Sequence, residues 1–584
     1  MTTSSQHQDL TANASQRTAE RLVWFTARKD QSGIAKGIAD GKDLEEIYGL
    51  GDADLFDEFF CFLDELGVTK LFTKLDPNKQ ERSSNVSFHA VLLIYLMRIV
   101  CGLPFFWHIQ SVILRSQSLM RLVGFNGRQV REGTSGRGTG KPKNGAKGTE
   151  AVGAAEATKA SEAKAFGKAQ DKGDKIPIRG PVCPQSIGKH VSAITARALE
   201  RFFNGVIRIL AARSFFPKHV HALLDASEIQ TTERCEGCGE VTKEKAPSLR
   251  LRKGRIRKVV ERVFGFKIWV VWDANSKLPL ALCFATINVA DIDLAKKVVS
   301  QAMENLGEHA AIKSLAFDRG FLDGKFMWWL DQNDIIFQVP AKTKMNVYAD
   351  ALSLVGTGSR KVHTKKRYKG RGKTRETVVD TWEVEGIEGL TSAGFYGELG
   401  SGSHENRKDF VPNLLNAVVV LTDPFKVNNP KADTLVILTN GDVEKNPMRT
   451  YKAYDERSEI ENGMFREGKQ AWFLERPAEN TAASFRAHVY LTIATIALST
   501  AFRTWMDEEE DKDKQGQETG IRKFREQIRQ ENGNKLIVFE EDRYAIFDTY
   551  EVLILCGRNV RKPKGTKERI TKEDILAKYS ADTD

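Results

Sequence analysis

The sequence predicts an α/β protein built on one mixed β-sheet, interrupted by a β-rich insertion and preceded by an all-α region. Three observations predict it. Strand-like runs at HALLDAS, RVFGFKIWVVWDA and LPLALCFATI follow one another closely, as in an antiparallel meander. Helical and strand-like segments then alternate: DLAKKVVSQAMENLGE, IKSLAFDRGF, DGKFMWWLDQN and DIIFQVPAKT. Residues 21–125, by contrast, repeat apolar positions at three- and four-residue intervals, which is the period of packed helices. Three strands followed by αβαβ is the order of an RNase H-like sheet, although other α/β domains share it.

In chain order, residues 1–20 are polar and predict a disordered tail. DADLFDEFFCFLDELG opens on acids that suit a helix N-terminus. The apolar run Ala90–Phe106 carries Arg98 and Pro104, so it predicts a core helix and no membrane span. Residues 126–180 are rich in Gly, Ala, Lys and Thr and nearly devoid of large apolar side chains. They predict a flexible low-complexity basic linker, because ordering them would bury too little surface. A connecting helix at about 184–213 opens the first part of the sheet domain, 181–345. Residues 346–449 predict a β-rich insertion with strands at TVVDTWEVEG, AVVVLTD and TLVILTN. Residues 450–505 predict a helical second part of the core, and 506–584 a C-terminal region for dimerisation or nucleic-acid contact.

Lys and Arg exceed Asp and Glu by 88 to 77, and the pI is about 9.1, a balance that favours a polyanionic partner. Seven cysteines in 584 residues are too few for a disulfide framework and fit a reducing compartment. Cys235 and Cys238 form a lone CxxC; with no second pair nearby, a four-ligand zinc site is not expected.

Asp225 closes the first predicted strand and Asp318 the fourth. In an RNase H-like sheet those strands are neighbours, so the two acids would meet at one edge. Hard oxygen ligands at a rigid strand end are what a pair of Mg²⁺ or Mn²⁺ ions needs for phosphoryl transfer. An isolated Asp at a strand end also serves as a cap or turn residue. Tyr454, Arg457 and Glu461 are spaced three and four apart and share one helix face, which suits a third acid or a plain solvated surface.

LLDASEIQTT, LAFDRGFLDGKFMWWLDQNDIIFQVPAKTKM, YDERSEIENGMFREGK and FRAHVYLTIATIAL together resemble the bacterial insertion-sequence transposases that carry a Tyr-Arg-Glu-Lys signature. The resemblance covers roughly residues 75–125 and 215–505. It implies an RNase H-like core with a DDE triad, in which Asp225, Asp318 and Glu461 are the catalytic and metal-binding acids. It further implies two Mg²⁺ or Mn²⁺ ions per site and DNA contacts from Tyr454, Arg457 and Lys469. The spacings fit: 318 − 225 is 93 and 461 − 318 is 143, room for an inserted β domain. Lys469 follows Glu461 after seven residues where the family has six. On a regular helix this turns it about 100° off the face, unless a π-bulge near Gly463 restores it; Arg466 is the substitute. Ser458 stands where the family often has an aromatic side chain, so a base-stacking ring would come from elsewhere. Trp382 is the candidate, against the alternative of a core tryptophan.

Residues 243–262 hold nine positive charges, among them Lys253, Arg255, Arg257 and Lys258, and predict a loop or hairpin that tracks phosphates. A second basic run spans 360–375. The expected function is excision and integration of an insertion sequence: strand cleavage, hairpin formation and strand transfer at terminal inverted repeats. The partners would be double-stranded repeat and target DNA, bound by a homodimer in the bacterial cytoplasm at the nucleoid. Two alternatives are another RNase H-like DNA nuclease and a catalytically silent, transposase-derived DNA-binding protein.

Overall fold

The computed structural model describes residues 28–44, 46–51, 53–77, 86–132, 182–245, 259–356, 359–369, 376–393, 396, 414–422, 434–510, 521–528, 532–540, 543–558, 560 and 570–580. Its strands in chain order are β1 (Arg28–Lys29), β2 (Glu46–Gly51), β3 (His219–Thr231), β4 (Gly239–Lys245), β5 (Val259–Asp273), β6 (Pro279–Thr286) and β7 (Ala311–Phe317). They continue with β8 (Ile336–Pro340), β9 (Ser359–Lys369), β10 (Glu376–Leu390), β11 (Leu415–Thr422), β12 (Thr434–Thr439), β13 (Asn532–Glu540) and β14 (Arg543–Asp548).

Two sheets organise the described residues. The larger runs β4–β5–β3–β7–β8–β12–β11–β10–β9, with β6 also on β5. β3, β5 and β6 form the antiparallel meander, while β7 and β8 run parallel to β3 and to each other. This mixed sheet, β6–β5–β3–β7–β8, is consistent with an RNase H-like transposase core. β5 changes partner along its length, from β4 over Val259–Gly265 to β6 over Phe266–Trp272. A side chain at Gly265 would put its Cβ 2.2 Å from the Ile229 carbonyl oxygen, so only glycine lets the strands pass there.

Below the sheet lies the helix Ala482–Glu510, whose Val489, Tyr490, Leu491, Ile493, Ala494 and Ala497 are buried. It packs on the helices Pro184–Ser192, Ala196–Ala212 and Phe88–Val100. The stretch Ala482–Met506 is long and apolar enough to cross a membrane, but 89% of its apolar window is buried inside the protein. Polar groups pin it to the N-terminal helices. Tyr95 Oη lies 2.8 Å from His488 Nδ1, and His488 Nε2 donates to the Phe473 carbonyl at 2.9 Å. Burial, reinforced by nearby Arg98, lowers His488 to about 3, so the ring stays neutral.

Three expectations meet a different arrangement. Residues 21–125 are helical in the main but not all-α: β1 and β2 join β14 and β13 in a four-stranded sheet ordered β1–β14–β13–β2. Within the region 506–584, β13, β14 and the helices Thr549–Leu555 and Lys572–Ser580 are therefore half of a module whose other half lies near the start of the chain, closed by Ile34, Ile38, Val538, Phe547, Val552 and Tyr579. The insertion 346–449 extends the large sheet, because β12 pairs antiparallel with β8 at Ile437–Pro340 and Leu438–Val339. The connecting helix expected at 184–213 breaks at residues 193–195, where Thr195 Oγ1 accepts from the Ala198 N–H and starts a new helix. The tail 1–20 and linker residues 133–180 lie outside the described residues, whereas the first residues of the expected flexible linker, Gly127–Glu132, form a short helix.

Candidate active site

β3 carries the first acid. It does not end at Asp225 as the sequence suggests but runs six residues further, to Thr231, held by β5 on one side. β7 lies on the other side, in parallel register that ends on Leu224 opposite Phe317. Asp225, still paired with β5, and Asp318, just past the end of β7, are the next residues on the two strands, so the acids follow the last β3–β7 pair together. Asp318 follows the last residue of β7, heads the short 3-10 turn Arg319–Phe321, and is 42% exposed at its side chain.

The third acid reaches the same edge from the helical segment after Pro447–Asp455. Arg457 Nη1 donates to Glu461 Oε1 at 2.7 Å and to Asp225 Oδ2 at 3.3 Å, so one guanidinium spans two of the acids. Tyr454 lies under the same guanidinium, 6.0 Å from ring centre to Cζ. The helix predicted across 450–475 is broken at Glu456–Arg457, yet the three residues still face one way.

Asp225 is 9% exposed. Burial pushes its carboxyl up to about 7, against the pull of the Ala226 N–H and Arg457; Glu461 and Asp318 push in the same direction as burial. Burial also works against the charge of Arg457. The bond to Glu461 and the fields of Tyr454, Asp225 and Glu461 outweigh it and raise the arginine above its ordinary value.

Ile460–Arg466 forms a π-helix, which is rare and takes up one extra residue in a turn. Beyond it, Lys469 points back at β3 and donates to the Glu228 carbonyl at 2.6 Å, with Glu475 at 3.2 Å. The seven-residue gap therefore still delivers Lys469 to the strand that carries Asp225. Arg466 lies within the π turn and is exposed.

Among the described residues, no group of three His, Cys, Asp or Glu side chains converges on a single ion position. The donors nevertheless fit a hard divalent cation. All are carboxylate oxygens, their charges oppose one another, and the positive charge now between Asp225 and Glu461 is that of a side chain, Arg457.

Other expected residues are placed as follows. Lys253, Arg255, Arg257 and Lys258 lie outside the described residues. Trp382 is on β10, opposite Thr422 and His363, and its side chain also lies outside them. Cys235 and Cys238 are free thiols at the tip between β3 and β4. That tip is bound to the segment before the long helix: Glu236 N–H donates to the Asn480 carbonyl and Ala482 N–H to the Glu236 carbonyl.

Several groups escaped the sequence reading. His221, on the same face of β3 as Asp225, contacts β7 and the helix Pro447–Asp455. Lys277, in the β5–β6 turn, binds Glu459. Phe105 and Trp107, 46% and 61% exposed, have near-parallel rings and line a cavity of about 990 Å³ with Gln230, Thr231, Arg476 and Phe485. The alternation of HVHALLD marks His221 as sharing a face with Asp225. Nothing local marks the other groups.

Residues 216–498 match the family model of the transposase DDE domain. The matched span begins just before β3 and ends inside the long helix, so it takes in all three acids, the insertion and the π turn. The match supports a DDE transposase, a class that generally uses divalent metals and acts on DNA. No curated protein matches the chain.

Proposed function

We propose that this chain is a cut-and-paste DDE transposase of the Tyr-Arg-Glu-Lys insertion-sequence group. The observation that supports the reading is that Asp225 and Asp318 follow paired residues of two parallel strands, while Arg457 links Asp225 to Glu461 from the helical segment. These three acids would hold two Mg²⁺ or Mn²⁺ ions. Such ions, when bound, supply the Lewis-acid charge that activates an attacking oxygen and steadies a leaving one.

The chain's own groups do the rest. Arg457, released from the carboxylates, presents a fork of N–H donors to a phosphate at the element end. Lys469 adds a point charge beside β3. Tyr454 packs the guanidinium and fixes its direction. The basic runs within 243–262 and 360–375 would follow the DNA backbone and set affinity more than sequence choice. Water attack at the element end frees a 3′-OH; that hydroxyl attacks the opposite strand to give a hairpin, and reopening precedes attack on target DNA. Gln230, which lines the aromatic cavity, is five residues beyond Asp225, about 16 Å along a strand. Phe105 and Trp107 there, or Trp382, would stack an unpaired base. A homodimer would hold both inverted repeats in the cytoplasm at the nucleoid.

The test is cleavage of a labelled end, taken from DNA flanking the coding sequence, in Mg²⁺ or Mn²⁺. Wild type should nick and form a hairpin, whereas Asp225→Ala, Asp318→Ala and Glu461→Ala should bind the DNA without cutting it. The bridge made by Arg457 favours a second reading, a silent DNA-binding relative whose acids are neutralised internally. Wild type that binds DNA but is as inert as the variants would establish it. Activity surviving in Glu461→Ala alone would move the third acid to Glu459 or Glu467.

A further inference from the structure

His221 touches each of the three chain segments that carry an acid. It lies on β3, four residues before Asp225. Its Nδ1 is 2.6 Å from Ser314 Oγ on β7, and Ser314 is four residues before Asp318. Its Nε2 is 3.0 Å from the Ala453 carbonyl, and Ala453 is four residues before Arg457 and eight before Glu461. A carbonyl only accepts, so Nε2 carries the proton, and in the neutral ring Nδ1 accepts from the Ser314 hydroxyl. Glu456, 3.5 Å from Nε2, sits on the same side. The ring is 15% exposed, so water competes little for these bonds.

This junction joins the other contacts of the segment, the packing of Met448, Tyr451 and Tyr454 on the sheet and the Lys277–Glu459 bond. Ladder bonds already hold β3 to β7, whereas the segment with Arg457 and Glu461 approaches from outside the sheet. After Asp455 its regular helix stops, and a turn and a π segment follow before Lys469. Such a segment has weaker internal constraints than an unbroken helix. A side-chain pin at Ala453, one residue before Tyr454, fixes where it starts relative to the strands.

We propose that His221 is a positioning residue that sets the register of Arg457 and Glu461 against Asp225 and Asp318. It does so by clamping the Ala453 carbonyl to the β3–β7 pair. The inference rests on the proposed transposase reading and deepens it. His221 touches neither substrate nor ion; it acts through the segment it holds.

The test compares wild type with His221→Ala and His221→Gln, the latter keeping an N–H donor for Ala453. Three readouts apply to the full chain: Mn²⁺ binding followed by electron paramagnetic resonance, nicking rate at saturating labelled DNA, and hydrogen exchange of amides 450–470. For His221→Ala, expected results are Mn²⁺ affinity lowered about fivefold or more and nicking about tenfold slower. DNA affinity should stay within twofold and exchange should rise across 450–470, with His221→Gln recovering most of each loss. A folded His221→Ala with wild-type exchange over 450–470 overturns the proposal. So does equal damage in both variants accompanied by a general loss of thermal stability, which marks a packing role only. Wild type that neither binds Mn²⁺ nor nicks would defeat the transposase reading instead, and the exchange data would still decide whether His221 holds the segment.

Discussion

Against the terminal sheet, Asp57 of the helix Asp54–Glu65 is 1% exposed, with Lys29 Nζ at 2.5 Å and the Tyr544 hydroxyl at 2.9 Å. Nearby Glu551 is 2% exposed and accepts from Lys578, the Tyr579 hydroxyl and the Asp548 N–H, all within 3.0 Å. At the edge of the large sheet, Asp225 is almost as buried, but it shares one guanidinium with Glu461, and its carboxyl is raised to about 7. Structural carboxylates here each have dedicated donors. The acids assigned to catalysis are left with too little positive charge among them, the condition under which an added cation binds well.

That contrast can be broken in several ways. The largest effect should come from Asp225→Asn, Asp318→Asn and Glu461→Gln: nicking falls on the order of 10³-fold or more, matching the several kcal/mol that metal ligands contribute. Thermal unfolding of the metal-free variants should stay at or above wild type; a large loss of stability would mean these acids are structural too. Opposite behaviour is expected of Asp57→Ala and Glu551→Ala. Each strands its donors and should cost about 2–4 kcal/mol in denaturant unfolding, while nicking per folded molecule at low temperature is retained.

A smaller, pH-dependent effect sharpens the comparison. The folded pKa of Asp225 lies above its unfolded value, so its contribution to stability is full below about pH 3.8 and is lost as pH rises through about 7. In metal-free protein, the stability advantage of Asp225→Asn over wild type should therefore grow from pH 5 to pH 8, and Mn²⁺ should shrink it by stabilising wild type. A pH-independent difference between the two would contradict the burial argument. Smaller again, Arg457→Gln removes the resident cation and should tighten Mn²⁺ binding a few-fold without DNA, even as cleavage drops. Replacing Lys253, Arg255, Arg257 and Lys258 with glutamine should lower the slope of log affinity against log salt by up to about 0.9 for each phosphate no longer neutralised. An unchanged slope would remove that arm from the interface.

The large sheet was legible where its pattern is local. The alternation in HVHALLDA, the apolar runs of β5 to β8 and the amphipathic helix between β6 and β7 are statements about neighbours in sequence, and they suffice to set Asp225 beside Asp318. The Glu461-to-Lys469 gap, one residue longer than in the transposases the sequence resembles, raised the π turn that Ile460–Arg466 forms. What stayed hidden is non-local. β1 is two residues long and β2 reads EIYGLG, with two glycines and little strand propensity; both exist because β13 and β14, nearly 500 residues on, offer them a ladder. The attachment of the insertion rests on two residue pairs between β12 and β8. The register that lets one histidine reach Ser314 and Ala453 likewise exists only after the elements meet.

Joining Arg28–Gly51 to Asn532–Asp548 has a consequence for synthesis. A ribosome adding about 5–20 residues per second needs roughly half a minute to a minute and a half to travel from one half of that module to the other. During that time the early strands have no template, and Asp57 has not yet met the Tyr544 hydroxyl. The catalytic sheet is translated and available to fold well before its N-terminal neighbours are closed, so a chain cut short before residue 532 would carry every acid of the site and still lack a finished scaffold.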